Sequence, residues 1–249
     1  MDIVYAIWLR NMLRFVRSKS RIIGSICMPL FFLLILGFGL NNVVQIRGLQ
    51  GNYLVFLILG MVAMSVMFTS VFFGVQIIWD KQFGFLKETL VAPVSRLEIM
   101  VGQTVGGATM ATLQGFLILV PSVFLGLQLA GVSGFLIAIL SMTLIGVSFT
   151  AFGIAIASRM EDMTAFQLIV NFVVFPIYGL SGAFYPISSL PPWMAPLSYA
   201  DPLTYGIEGI RYGLTGVSQI DPAICFAVIG AFTCTTTVAG ALLFRKMDM

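Results

Sequence analysis

The chain has 249 residues, 59% hydrophobic and 9% charged, with a mean hydropathy of +1.03 and a formal net charge of +3. Soluble domains carry about 25% charged residues, so the composition excludes a water-soluble fold and reads as an integral membrane protein. There is no histidine, the three cysteines (Cys27, Cys225 and Cys234) lie inside apolar runs, and no basic tract follows the N-terminus, so neither a disulfide framework, a metal site nor a nucleic-acid partner is expected.

The first apolar run begins only at Ile22, and no small-x-small site follows it, so no cleavable signal peptide is expected. Ahead of it, Arg10, Arg14, Arg17 and Arg21 recur at i, i+4, i+7 and i+11, on one face of a helix, with Ile3, Ile7 and Trp8 towards another. The spacing predicts an interfacial helix on the inner leaflet, its arginines near lipid phosphates.

A spanning helix needs about 20 apolar residues. Six segments meet that length: Ile22–Leu40, Tyr53–Trp79, Thr104–Leu129, Val132–Ala157, Thr164–Phe184 and Pro222–Phe244. The runs are continuous, without the period-two alternation of barrel strands, so the expected fold is all-α, one transmembrane domain over residues 1–249. Eleven of the 13 lysines and arginines fall on one side of this topology, leaving Arg47 and Arg211 on the other. Both termini, the 80–103 loop and the short 158–163 loop are therefore expected in the cytoplasm, and residues 41–52 and 185–221 outside.

None of the six segments contains Asp, Glu, Lys, Arg or His. Ion-coupled carriers place ionisable or polar groups at midplane, and intramembrane proteases need a base or a metal ligand. In place of charge the segments offer amides, among them Gln76, Gln114, Gln167 and Asn171. Energy for uphill transport is thus expected to enter through a loop. No G-x-x-x-x-G-K-[ST] motif occurs, so the chain has no nucleotide site of its own.

The loop DKQFGFLKETLVAPVSRLEIMVGQ, Asp80 to Gln103, supplies an entry point. Phe83, Leu86 and Leu90 recur at helical spacing, with Lys87 and Glu88 on the wetter side, and Pro93 stops this short helix. Ser95 and Glu98 then form an S-x-x-E capping box, opening a helix expected to run unbroken into the third span. Helix, corner and membrane-rooted helix make a unit that transmits a push. The run Glu88–Arg96, an acidic residue, a leucine and Pro-Val-Ser-Arg after the second of six spans, resembles the permease subunits of type 2 ABC exporters, nearest the drug-resistance and Nod-factor export branch. The resemblance covers the whole chain. It implies that the loop carries a coupling helix docking on a separate ATP-binding subunit, in two copies, which holds ATP and magnesium. By resemblance Lys87, Glu88, Leu90, Pro93 and Arg96 belong to the coupling region.

From Tyr185 to Gly216 the chain carries five prolines between Pro186 and Pro202. Ser189 is expected to cap a short helix opening at Pro191–Pro192. Asp201–Pro202 is an N-cap and N1 pair, starting a helix with an apolar stripe of Leu203, Ile207, Ile210 and Leu214. Glu208 and Arg211 stand at i, i+3 on another face and could pair. The stripe and the aromatics suit a hairpin dipping into the outer leaflet. Asp221–Pro222 repeats the cap. The P-L-x-Y-x-x-E-x-x-R run from Pro202 to Arg211 is similar to the family's pair of re-entrant helices between spans five and six. By that resemblance Asp201, Pro202, Tyr205, Glu208 and Arg211 form an outer gate, with a lid that only seals the bilayer edge as the competing reading.

The resemblance also implies a translocation path between two permease subunits, a homodimer in the simplest case. Its lining spans place Phe68, Phe72 and Gln76 with Asn171, Phe175 and Tyr178, and Pro176 is a candidate kink. Such a lining suits a hydrophobic or amphipathic cargo, a drug, a lipid or a glycolipid-like molecule. Two other readings stand beside it: a self-contained carrier or channel, and a non-transporting assembly or sensor subunit. Gly102 and Gly106 form a G-x-x-x-G at the mouth of span three, a sign of close helix packing.

Overall fold

The structure, a computed structural model, describes residues 2–39, 53–83, 95–124, 127, 130–160 and 162–247. Among them every regular element is helical. The helices are α1 (Asp2–Arg17), α2 (Lys19–Phe32, continued by a π-helical turn Leu33–Phe38), α3 (Tyr53–Phe73), α4 (Val75–Gln82), α5 (Arg96–Phe124), α6 (Val132–Ala157), α7 (Met163–Ile169), α8 (Phe175–Leu180, joined to α7 by the π-helical turn Val170–Val174), α9 (Ala195–Ala200), α10 (Pro202–Thr215) and α11 (Pro222–Arg245).

Among the described residues five helical rods are long and apolar enough to cross a bilayer: Tyr53–Gln82, Arg96–Val123, Val132–Ala157, Met163–Leu180 and Pro222–Arg245. The first expected span is shorter among the described residues, where its apolar helix covers Ile26–Phe38. Its expected end, Leu40, lies outside them. Ser95 and Glu98 make the capping box in full. The Ser95 N–H and hydroxyl both donate to Glu98 Oε2, at 3.1 and 2.8 Å, and the Glu98 N–H returns to Ser95 Oγ at 3.2 Å. From that cap α5 runs without a break into its membrane-crossing length. Asp162 and Asp221 cap α7 and α11 in the same way, accepting from the N–H two residues on.

Lipid tails supply no hydrophobic drive between helices, so association rests on close packing of small residues. α3 is the central rod, enclosed by α5 and α6. Where α4 begins, a Cβ on Gly74 would lie 2.4 Å from the Gly153 carbonyl of α6, so only glycine admits this crossing. α6 in turn packs against α10 and α11. The Leu203, Ile207, Ile210 and Leu214 stripe is fully buried against this bundle. It faces protein, whereas Trp193 and Tyr199 of the same segment are exposed. Gly216 ends α10 in the left-handed region (φ 75°), its N–H closing on Tyr212 O at 2.9 Å.

Two expectations differ from the observed local structure. Ser189 does not cap a helix at Pro191. Its hydroxyl donates back to Pro186 O at 2.7 Å, closing a 3-10 turn, and helix begins only at Ala195. Pro192 bars helical backbone at Pro191, which delays the start. Arg21 is not on the N-terminal helix with the other arginines, because that helix ends at Arg17 and Arg21 falls in α2.

Candidate functional site

α1, the end of α4, the start of α5 and the end of α11 share one end of the bundle, the charged end. The helical spacing of Ile7, Asn11 and Phe15 gives α1 a buried face, which packs on α5. A Cβ on Gly102 would sit 3.0 Å from Ile7 Cβ, and one on Gly106 would sit 2.8 Å from Asn11 Nδ2. The G-x-x-x-G therefore seats α1. Asn11 is fully buried and bridges two rods, donating to Gln103 Oε1 at 2.9 Å and accepting from Gln76 Nε2 at 3.3 Å. Trp8 Nε1 donates to Thr109 Oγ1 at 3.2 Å. Arg10 and Arg14 turn to the buried Asp80 carboxylate, at 3.3 and 3.9 Å. Arg17 is exposed, and the side chain of Arg21 lies outside the description.

Of the coupling residues, Lys87, Glu88, Leu90 and Pro93 lie outside the described residues. Arg96 is described, and it makes a specific contact. Its Nη1 donates to the carbonyls of Arg245 and Met247, at 2.7 and 3.0 Å. These are free acceptors at the C-terminal end of α11, where a cation is favoured by the helix dipole. The start of α5 is thereby tied to the end of α11.

Between the two ends runs a groove bounded by α2, α3, α5 and the α7–α8 rod. Its larger chamber has a volume of about 770 Å³ and its chamber at the charged end about 670 Å³. Phe15, Phe72, Met110 and Gln167 line both, so the two chambers adjoin. An aromatic ladder forms one wall. Phe68 stacks on Phe72 and tilts against Phe175 (centroids 5.0 Å apart), and Tyr178 stands edge-on to Phe68 and Phe184. Among the described residues the larger chamber has no aspartate, glutamate, lysine or arginine in its lining, whereas the other ends at Arg14 and Asp80. Phe68, Phe72, Phe175 and Tyr178 thus come together, and Gln76 lines the charged-end chamber. Asn171 lies on the exposed side of its helix, where it accepts from Gln167 Nε2 at 3.3 Å, and Gln167 takes the place in the groove. Both helices on the less packed side of the groove carry π turns. In α7–α8 the turn precedes Pro176, whose missing N–H breaks the ladder, and the Phe175 N–H reaches back five residues to Val170 O.

At the far end α10 holds a buried ion pair. Arg211 Nη1 donates to Glu208 Oε1 at 2.5 Å, Arg211 Nη2 donates to Gly182 O at 2.8 Å, and the guanidinium carbon lies 3.7 Å from the Phe56 ring centroid. Glu208 Oε2 accepts from the Gln219 N–H at 2.6 Å. One pair of side chains therefore ties α10 to α3, to the segment after α8 and to the approach to α11. Asp201 Oδ1 accepts from the Leu203 N–H at 2.9 Å, the expected cap, and its Oδ2 is buried without a partner. Burial pushes the Asp201 carboxyl up to about 7, opposed by the Leu203 N–H. Pro202 occupies the first turn of α10, and Tyr205 donates to Tyr199 O at 2.7 Å, holding α9 against α10.

Sequence reasoning missed Asp80 and Asn11 as the partners that hold α1. The helical spacing of Ile7, Asn11 and Phe15 was the available signal for Asn11, since an amide on an otherwise apolar face needs a partner.

The family model described as ABC-2 type transporter matches residues 3–215. The inner membrane transport permease YadH of Escherichia coli (strain K12) is 29% identical over 237 residues, covering 91% of this chain and 88% of YadH. Nodulation protein J of Rhizobium leguminosarum bv. viciae is 25% identical over 248 residues, covering 98% of this chain and 94% of its own length. With a multi-pass helical bundle, a lateral apolar groove and a family match over most of its length, this chain belongs to the ABC-2 type transporter family.

Proposed function

We propose that the chain is the membrane-spanning permease subunit of an ATP-driven exporter, moving a hydrophobic or amphipathic molecule outward. The observation that carries this reading is the groove, whose main chamber is aromatic and apolar, with no charged side chain among the described residues of its lining. A small ion finds no coordinating charge there, and an apolar molecule finds wall area. In this reading the chain crosses the membrane six times with both termini in the cytoplasm, and residues 185–216 form the re-entrant outer segment. The membrane is the inner one, as the name of the YadH relative suggests. Two copies of the permease pair, and two copies of a separate ATP-binding subunit, holding ATP and magnesium, dock on the 80–103 loops. Lys87, Glu88, Leu90 and Pro93 form the docking surface. Arg96 passes the loop's movement to the end of α11 through the two carbonyls it holds.

The test is co-purification. The tagged chain is extracted gently from its native membrane and the bound proteins are identified. A stoichiometric ATP-binding protein, lost on Glu88→Lys while the permease remains folded, supports the assignment. A chain that comes out alone in several detergents overturns it in favour of a self-contained carrier.

A further inference from the structure

Many hydroxyl and amide side chains of the bundle are paired, while the hydroxyls of Thr112, Thr150, Ser198 and Thr237 are buried without a partner. Ser70, Thr104, Thr109 and Ser122 each donate to the carbonyl four residues back in their own helix, the usual solution for a hydroxyl in lipid. Gln76 and Gln103 share Asn11, and Gln167 bonds to Asn171. Among the described residues Gln114 is the buried amide left with both ends unpaired. It sits midway along α5 and is fully buried, and neither its Nε2 nor its Oε1 has a partner. Ser65 of α3 is buried too, and its hydroxyl makes no bond to its own helix. Both line the larger chamber of the groove. They lie at the same level. Gly115, beside Gln114, packs so closely on α3 that a Cβ there would be 2.8 Å from Val66, the residue after Ser65.

A buried amide with both ends unmet is costly in an apolar wall, and each missing bond counts against the empty state. The position calls for a partner that brings a hydrogen-bond donor and acceptor on an apolar body. An ionised group fits poorly, because the described lining residues supply no countercharge beside Gln114.

We infer that Gln114 and Ser65 form a polar docking point within the groove, taking a neutral hydroxyl or amide group of an amphipathic molecule whose apolar part lies against Phe68, Phe175 and Met28. This inference rests on the groove being the cargo path, and it adds the class of cargo: uncharged amphiphiles carrying one hydrogen-bonding group. Gln114 would then set preference among apolar molecules, while the aromatic wall sets capacity.

The experiment uses two photoreactive probes with the same twelve-carbon diazirine tail, one ending in a primary alcohol and one in a methyl group. Purified full-length protein in lipid nanodiscs is labelled with each, and the modified peptides are identified by mass spectrometry. The alcohol probe is expected to label the groove peptides of α2, α3 and α8 about fivefold more than the hydrocarbon, the factor that one net hydrogen bond supplies. Gln114→Leu, close to isosteric and apolar, is expected to abolish that preference while leaving hydrocarbon labelling and raising the thermal midpoint of the empty protein. Ser65→Ala is expected to reduce the preference in part. Equal labelling by both probes in the native protein, or an undiminished preference in Gln114→Leu, overturns the docking point, as does a lowered midpoint in Gln114→Leu, which would assign the amide a structural partner. Labelling needs neither ATP nor the partner subunit, so the export reading stands or falls separately on co-purification.

Discussion

Cutting the Glu208–Arg211 pair from one side measures how strongly the far end is tied. Arg211 is 3% and Glu208 1% exposed, so neither charge has water to fall back on. Arg211→Met keeps much of the side-chain volume but removes three interactions together: the 2.5 Å contact to Glu208, the 2.8 Å bond to Gly182 O and the contact with the Phe56 ring. Glu208 keeps only the Gln219 N–H, and a buried carboxylate left in that state costs about 3–5 kcal/mol. Glu208→Gln is milder, because the amide oxygen still accepts from Gln219 and Arg211 keeps Gly182 O and Phe56, the ring alone contributing about 2 kcal/mol when desolvated. The double variant Glu208→Gln/Arg211→Met leaves no unpaired charge. It is expected to fall well short of the sum of the two, with a coupling of about 2 kcal/mol or more. Unfolding in mixed micelles, followed by circular dichroism and by the fluorescence of the exposed Trp193, reads all three variants. An Arg211→Met loss below about 1 kcal/mol, or single losses that simply add, would refute the claim that this pair is a closed, desolvated tie.

Gly213→Ala should destabilise by about 1–3 kcal/mol, because the added Cβ would lie 2.6 Å from both Ala138 N and Gly134 O, backbone atoms of α6 that cannot move aside. Gly230→Ala in α11 meets open space and should gain up to about 1 kcal/mol from helix propensity, so a thermal-shift comparison of the two separates crowding from propensity. Asp201 gives a pH test. Its folded pKa of about 7 stands above its unfolded value of 3.8, so the unfolded chain releases its proton first and stability falls as pH rises between those values. The loss is at most about 4 kcal/mol. Asp201→Asn keeps an oxygen for the Leu203 N–H and removes the titration, so the difference between native and variant stabilities from pH 4 to 7 should carry this slope, and parallel curves would refute it.

Features built within a few residues were legible in the sequence. The Ser95–Glu98 box, the Asp201 and Asp221 caps, the i, i+3 pairing of Glu208 with Arg211 and the unbroken start of α5 all follow from local geometry. What escaped is long-range. Arg10 finds Asp80 across 70 positions and Arg96 finds Met247 across 151, and neither separation carries a periodic mark. Membrane helices hide their packing for a further reason. α3 is apolar all round, so polarity does not say which of its sides meets protein. The signal that survives is size, as the tight contacts at Gly74, Gly153 and Gly213 show. The groove was half legible. Its aromatic residues could be named from the sequence, but the orphaned amide of Gln114 is visible only once its surroundings are known to offer no partner.

The distribution of polar contacts says which walls of the groove can shift. α3, α5, α6, α10 and α11 pack on one another through buried surfaces, and α1 is bolted on at the charged end by Asn11 and Asp80. The other two walls, α2 and the α7–α8 rod, are different. The α7–α8 rod is largely exposed in this chain, α2 and its π-helical continuation present Ile23, Phe31 and Leu34 outward, and each helix contains a π turn. Few buried contacts and a broken hydrogen-bond ladder mark the segments that open at lowest cost. The groove is thus a rigid frame faced by two compliant helices, with lipid or a second subunit on their outer side. One end of the α7–α8 rod is held through the segment that follows it, where Gly182 O accepts from Arg211 and the Tyr185 hydroxyl donates to Gly179 O. Any widening of the groove at the far end must loosen that hold. Arg211→Met, which removes the Gly182 bond, should therefore raise hydrogen exchange in residues 175–185 more than in α3, and uniform exchange across both would mean that the α7–α8 rod moves with the frame.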